Sequence, residues 1–138
     1  AVDAWVIWDP FFAAAEHQIG ARILATGQNL VSNHQFYLAD RKFAEQNPEI
    51  LKTLVNELNT TTQWVSQHQD EAAKLLEKPT GLSSDILKTS ISRMGFGVQA
   101  ISAEVTQEQQ YVADAFYQQK LIPNKINIQA AILNHASK

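Results

Sequence analysis

The opening run AVDAWVIW, residues 1–8, followed at once by Asp9-Pro10, is the feature that most limits the fold. Val2, Val6 and Ile7 stand among aromatics with little polarity. A run that is apolar on both sides is the pattern of a strand covered on both faces, as in a parallel α/β sheet. Asp9 suits a helix N-cap and Pro10 the first helical position, where its missing N–H costs nothing, so a short helix is predicted over 11–18, ending at Gly20. ARILATG (21–27) reads as a second short strand closed by Gly27, and after the polar loop QNLVSNH, QFYLA (35–39) reads as a third. Parallel strands need crossover helices and neighbours, and only the last pieces of such a sheet are present, so the chain reads as the second part of something larger.

From Asp40 onward the period changes from strand to helix. Asp40 suits the cap of a turn carrying Phe43, and Asn47-Pro48-Glu49 has the order of cap, first helical position and first-turn acid. Leu51, Leu54, Val55, Leu58 and Val65 then keep helical spacing and predict a long helix with one face on a core. A helix over 70–78 follows, stopped by Pro79 and Gly81, and another capped at Ser84 or its neighbour carries Leu87, Ile91 and Met94 to Gly95. FGVQAIS reads as an extended connection. Thr106 and Gln109 have capping-box spacing, though the helix could begin a turn earlier, and Val105, Gln109, Val112, Ala113, Phe116 and Tyr117 lie along one stripe. LIPNKINIQ reads as an extended tail.

Composition removes several function classes. With 45% hydrophobic and 18% charged residues in 138, the chain is long enough for one globular unit with a core. The net charge of −3, with both signs interspersed, leaves no basic stripe for nucleic acid. No apolar run approaches the ~20 residues of a membrane span, and no signal peptide is visible. Without cysteine there are no disulfides, thiolate metal sites or cysteine nucleophiles. His17, His68 and His135 are scattered with no partner at metal spacing and are expected on the surface. Trp64 is expected to pack, and Asn59-Thr60-Thr61 matches a glycosylation acceptor pattern.

Three stretches carry a resemblance. VDAWVIWDPFFAAAEHQIGARILATG, NHQFYLADRKFAEQNPEILKTLVNEL and VADAFYQQKLIPNKINI resemble, in order and spacing, the C-terminal portion of aliphatic sulfonate-binding proteins, members of the nitrate, sulfonate and taurine group of ABC-transporter solute-binding proteins. VDAW..WDPF carries the group, FYLA.R.FAE.NPE supports it, and ADAFY...LIP points to the sulfonate branch. The resemblance covers essentially the whole chain. It implies an α/β fold of the periplasmic-binding-protein-like type II class, here a fragment with about three short strands followed by a mostly helical C-terminal half. Residues 1–39 would be the end of the second lobe and 40–138 a helical C-terminal segment, together one incomplete globular unit of a two-lobed receptor. Family members begin with a signal peptide and a first lobe, neither of which is in this sequence.

The resemblance also implies a periplasmic or extracytoplasmic location, an alkanesulfonate solute, a cognate ABC permease as partner, no cofactor, no metal and no catalytic residue. A sulfonate is permanently charged, so a receptor must replace its hydration with directed donors. Backbone N–H groups at a helix N-terminus do that, and at the carboxyl end of a strand they sit where open α/β sheets bind ligands. Phe11 and Phe12 would supply the nearest N–H groups. Trp8 is either a core aromatic or, as the resemblance implies, a flat wall with one N–H donor for the solute's carbon tail. Trp5, on the opposite strand face, is expected in the core. Asp9 is expected mainly as a cap, since a carboxylate repels a sulfonate, with a secondary role of orienting a donor or pairing with an amino group. Ser32, Asn33 and His34 form a polar turn near the cleft in the family, which makes Asn33 and His34 candidate donors.

Other readings are a nitrate, taurine or thiamine-precursor receptor, the ligand-sensing domain of a transcription regulator, and an enzyme using His34 with Asp40 or Ser32. No activated nucleophile, metal set or glycine-rich phosphate loop supports the last. Unpaired strand edges would invite self-association of a fragment, and one missing cleft wall would weaken its solute binding.

Overall fold

The computed structural model describes residues 2–133. Its elements are α1 (Phe11–Ile19), α2 (Arg41–Gln46), α3 (Pro48–Gln67), α4 (Gln69–Thr80), α5 (Ser84–Ser92), α6 (Ala103–Gln118) and a 3-10 turn (Ile128–Ala131). The chain divides into two compact units, Ala1–Val31 with Asn56–Val98, and Ser32–Val55 with Gln99–Lys138. Among the described residues no helix is long and apolar enough to cross a membrane.

The first unit is built on the α4–α5 hairpin. Ala72, Ala73, Leu87 and Ile91 are buried between the two helices, with Trp64, Val65 and Leu82 packed against them. Small residues on α4 let the larger α5 side chains approach closely, which is the way helix ridges interlock. The turn between the helices depends on Gly81, which has φ of +71° and donates its N–H to the Glu77 carbonyl. That left-handed backbone is strained for any residue with a Cβ. Pro79 stays inside the last turn of α4 rather than stopping it. Helix α1 packs on the same hairpin through Ala13, Ala14 and Ile86, with His17 Nε2 3.0 Å from Thr89 Oγ1.

Polar side chains fix the segments that have no periodic pattern. Asn59 makes two hydrogen bonds to the Val98 backbone and holds the connection after α5. At the α5 start the cap is Ser83, whose side chain makes no cap hydrogen bond. The Glu77 carboxylate instead accepts from the Ser84 N–H and Ser84 hydroxyl. These bonds hold its carboxyl below the usual carboxylate range. The expected stop at Gly95 lies beyond the observed end of α5 at Ser92.

In the second unit Asp40 caps α2 as expected, its carboxylate accepting from the Phe43 N–H at 2.9 Å. Helix α6 begins a turn before the Thr106 capping-box spacing, with Ser102 as its cap and Ser102 Oγ accepting from the Val105 N–H. The predicted extended tail contains the 3-10 turn, held to α6 by Gln110, whose amide donates to the Ile126 carbonyl and whose carbonyl accepts from the Ile128 N–H. Arg41 adds a bond to the Ala130 carbonyl.

Two expectations are corrected. The strands predicted at 1–8, 21–27 and 35–39 are absent, because no strand occurs among the described residues. Residues 2–7, 22–26 and 32–39 make no backbone hydrogen bond to any described residue. A strand is defined by its ladder, and an apolar run that meets no neighbouring run has nothing to form one with. The apolar face of α3 is only partly buried: Leu51, Leu58 and Val65 are half-buried, Val65 against the α4–α5 cluster. No residue of α3 is fully buried, and Leu54 and Val55 are exposed. Helix α3 is internally well made all the same. Thr53, Thr60 and Thr61 donate their hydroxyls to the carbonyls four residues back, which satisfies β-branched polar side chains inside a helix.

Candidate functional site

The candidate residues lie in both units. In the first unit the chain bends at Trp8: the Phe12 N–H donates to the Trp8 carbonyl at 2.9 Å, and the Ala14 N–H to the Pro10 carbonyl at 3.0 Å. The cap of α1 is therefore Pro10 rather than Asp9, since Pro10 already has φ −84° and ψ −3°. Asp9 still serves the helix start, its Oδ1 accepting from the Ala13 N–H at 3.0 Å. With Phe12 and Ala13 so engaged, the Phe11 N–H still meets no acceptor among the described residues. The expected pair of donors, Phe11 and Phe12, thus reduces to Phe11.

Trp5, Ile7, Trp8 and Phe11 line a shallow, almost entirely apolar groove of about 290 Å³ beside this turn. Trp8 is 70% exposed and Phe11 52%. Trp5 is 64% exposed, which corrects its expected place in the core. The described residues bring no layer against its side of the run, so it joins Trp8 in the groove.

Arg93, at the end of α5, is the residue that sequence pattern did not find. Its Nη2 donates to Glu16 Oε2 at 2.6 Å, its Nη1 lies 3.6 Å from Asp9 Oδ1, and its guanidinium sits 4.4 Å over the Phe12 ring. The three carboxylate and guanidinium side chains are only 20–32% exposed. Their separation in sequence, 77 residues from Glu16 to Arg93, leaves no local signal.

In the second unit Ser32, Asn33 and His34 form the polar turn. Ser32 Oγ donates to Glu108 Oε2 at 2.7 Å and His34 Nε2 lies 3.5 Å from the same oxygen. The His34 ring is tilted against Phe36 at 6.4 Å between centroids. Asn33 has φ of +51°, a left-handed backbone that asparagine tolerates better than most residues, and its side chain is exposed. The structure thus brings Trp8, Asp9 and Phe11 together at one turn and Asn33 with His34 at another.

No group of three or more metal-ligating side chains occurs among the described residues. His17 and His68 are exposed as expected, His68 stacked on Trp64 at 5.1 Å. His135 lies outside the described residues.

No protein-family model matches the chain. Over 132 residues, 95% of its length, it is 33% identical to an aliphatic sulfonates-binding protein of Escherichia coli strain K12, of which it spans 41%. The crystal structure of the periplasmic aliphatic sulphonate binding protein SsuA from Escherichia coli matches 96% of the chain with a TM-score of 0.86 at 34% identity, and the chain spans 44% of it. The alkanesulfonate-binding protein SsuA from Xanthomonas axonopodis pv. citri, bound to MOPS, matches 96% of the chain with a TM-score of 0.85 at 30% identity, and the chain spans 46% of it. In sequence and in fold the chain is therefore similar, over nearly its whole length, to somewhat less than half of an aliphatic sulfonate-binding protein.

Proposed function

We propose that this chain is a segment of the solute-binding component of an ABC importer for aliphatic sulfonates, acting outside the cytoplasmic membrane and supplying one wall of the solute cleft. Residues 1–39 are read as the end of the second lobe and 40–138 as its helical continuation. The observation that carries the reading is the groove of Trp8 and Phe11 beside the open Phe11 N–H, on a fold similar to that of proteins named for alkanesulfonate binding.

The chemistry fits a small organic sulfonate. The N-terminal end of α1 offers about half a unit of positive charge and a directed donor to the oxyanion. The indole of Trp8 and the ring of Phe11 cover a short carbon tail, and the indole N–H adds a second donor. The reading includes no catalysis and no cofactor: binding and release to a permease require donors, not a nucleophile.

The test is titration of the chain with ethanesulfonate, hexanesulfonate, taurine and nitrate, followed by tryptophan indole and backbone amide resonances. Shifts of the Trp8 indole and Phe11 amide with sulfonates, lost in Trp8→Ala, support the reading. Perturbation confined to other regions overturns the site, and tighter binding of nitrate than of any sulfonate overturns the solute class.

A further inference from the structure

We propose that Arg93 is a specificity-determining residue that shifts the preference of this wall from a zwitterionic solute towards a monoanionic one. The inference rests on the reading of the Trp8–Phe11 turn as a sulfonate wall. Asp9 presents a carboxylate at the entry of α1, next to the groove residue Trp8. Alone, that charge opposes an approaching sulfonate and attracts an ammonium group. Arg93 offsets both tendencies in part, since the same guanidinium also pairs with Glu16 and the three side chains together keep one negative charge. Its Nη1 faces Asp9 Oδ1 at 3.6 Å, and the fork is held from two other sides, by Glu16 at 2.6 Å and by the Phe12 ring at 4.4 Å.

That clamp matters because an arginine free to swing into water would offset little. A guanidinium fixed by a carboxylate and an aromatic face keeps its geometry, and partial burial of all three ionic side chains reduces solvent screening. Asp9 Oδ1 accepts from the Ala13 N–H and lies at ion-pair distance from the guanidinium, so its charge is partly offset before a solute amino group reaches it. Ethanesulfonate and taurine, which differ by one ammonium group, read this balance directly.

The experiment measures both affinities by resonance titration of the chain and of Arg93→Met, Arg93→Lys and the double variant Asp9→Asn with Arg93→Met. Methionine keeps an apolar stem over Phe12, and the amides of Ala13 and Ala14 report whether α1 remains formed. Arg93→Met is expected to weaken ethanesulfonate about tenfold while taurine changes less than about threefold, the difference made by one partly screened charge. Arg93→Lys retains the wild-type preference, and removing the Asp9 charge in the double variant restores it. Equal loss for both solutes, or no recovery in the double variant, reduces Arg93 to a structural role and overturns the proposal. If Trp8 and Phe11 respond to neither solute in the wild-type chain, the sulfonate-wall reading itself fails and this inference falls with it. A Trp8 response to both solutes with an unchanged ratio in Arg93→Met removes only this inference.

Discussion

Asn59 holds Val98 by a matched pair of hydrogen bonds, its amide donating to the Val98 carbonyl at 2.8 Å and its carbonyl accepting from the Val98 N–H at 2.7 Å. A side-chain amide here does what a neighbouring strand does elsewhere, satisfying both backbone groups of one residue. Both bonds are partly buried, so removing the amide strands a donor and an acceptor. Asn59→Ala is expected to lower the stability of the first unit by about 2 kcal/mol, within the usual cost of unsatisfied polar groups. Asn59→Asp keeps the acceptor but sets a carboxylate oxygen against the Val98 carbonyl, so it should not restore wild-type stability. Urea unfolding followed at Trp64 measures both, and an Asn59→Ala midpoint equal to wild type refutes the role.

Glu77 gives the hairpin an acid-sensitive joint. Hydrogen bonds from the Ser84 hydroxyl and the Ser84 N–H lower its pKa, the side-chain bond contributing most. A carboxyl whose folded pKa is depressed stabilises the fold above its unfolded pKa, about 4.3 for glutamate, and loses that contribution as pH falls through the folded value. The stability difference between wild type and Glu77→Gln should therefore be full near neutrality and shrink below about pH 4. Urea midpoints taken across that range test it. A difference that grows on acidification has the wrong sign for this mechanism.

The buried cluster and the α3 face separate what spacing predicts from what packing delivers. Leu87 is 3% exposed and Leu54 48%, although both occupy apolar positions of a helical repeat. Leu87→Ala is expected to cost about 2–5 kcal/mol, as truncation in a packed core does. Leu54→Ala should cost less than about 1 kcal/mol, because little of its area leaves water on folding. Equal midpoint shifts for the two variants would show that the α3 face is buried in solution.

The same contrast explains which parts of the molecule were legible in the sequence. Helices and their ends are written locally: the 3.6-residue repeat, Asp40 on Phe43, Ser102 on Val105 and Gly20 with φ of +64° each involve residues within one turn. Strands are not local, and the runs at 2–8, 21–27 and 35–39 have the right residues but meet no partner strand among the described residues. The place of Trp8, Asp9 and Phe11 at the start of α1 was legible because Asp9-Pro10 is a local helix-start signal. Arg93, Glu77, Asn59 and Gln110 were not, because a polar side chain that crosses from one element to another leaves no period to read. Asn59 even carried a misleading signal, since the glycosylation pattern it opens coincides with the residue that anchors Val98.

The unpaired apolar runs have a consequence for behaviour in solution. Val6 is 96% exposed and Leu38 93%, and their segments make no backbone hydrogen bond to any described residue. A run rich in β-branched and aromatic residues with its N–H and C=O groups unpaired is a template for another strand. The chain by itself is therefore expected to self-associate through these runs in a concentration-dependent way. Lysine placed on such a run opposes edge pairing by charge, so Val6→Lys should shift the chain towards monomer while leaving the helical circular dichroism unchanged. Sedimentation velocity over a hundredfold concentration range distinguishes the outcomes. A wild-type chain that remains monomeric throughout would show that these runs are protected in solution, and an association unaffected by Val6→Lys would place the contact on another face.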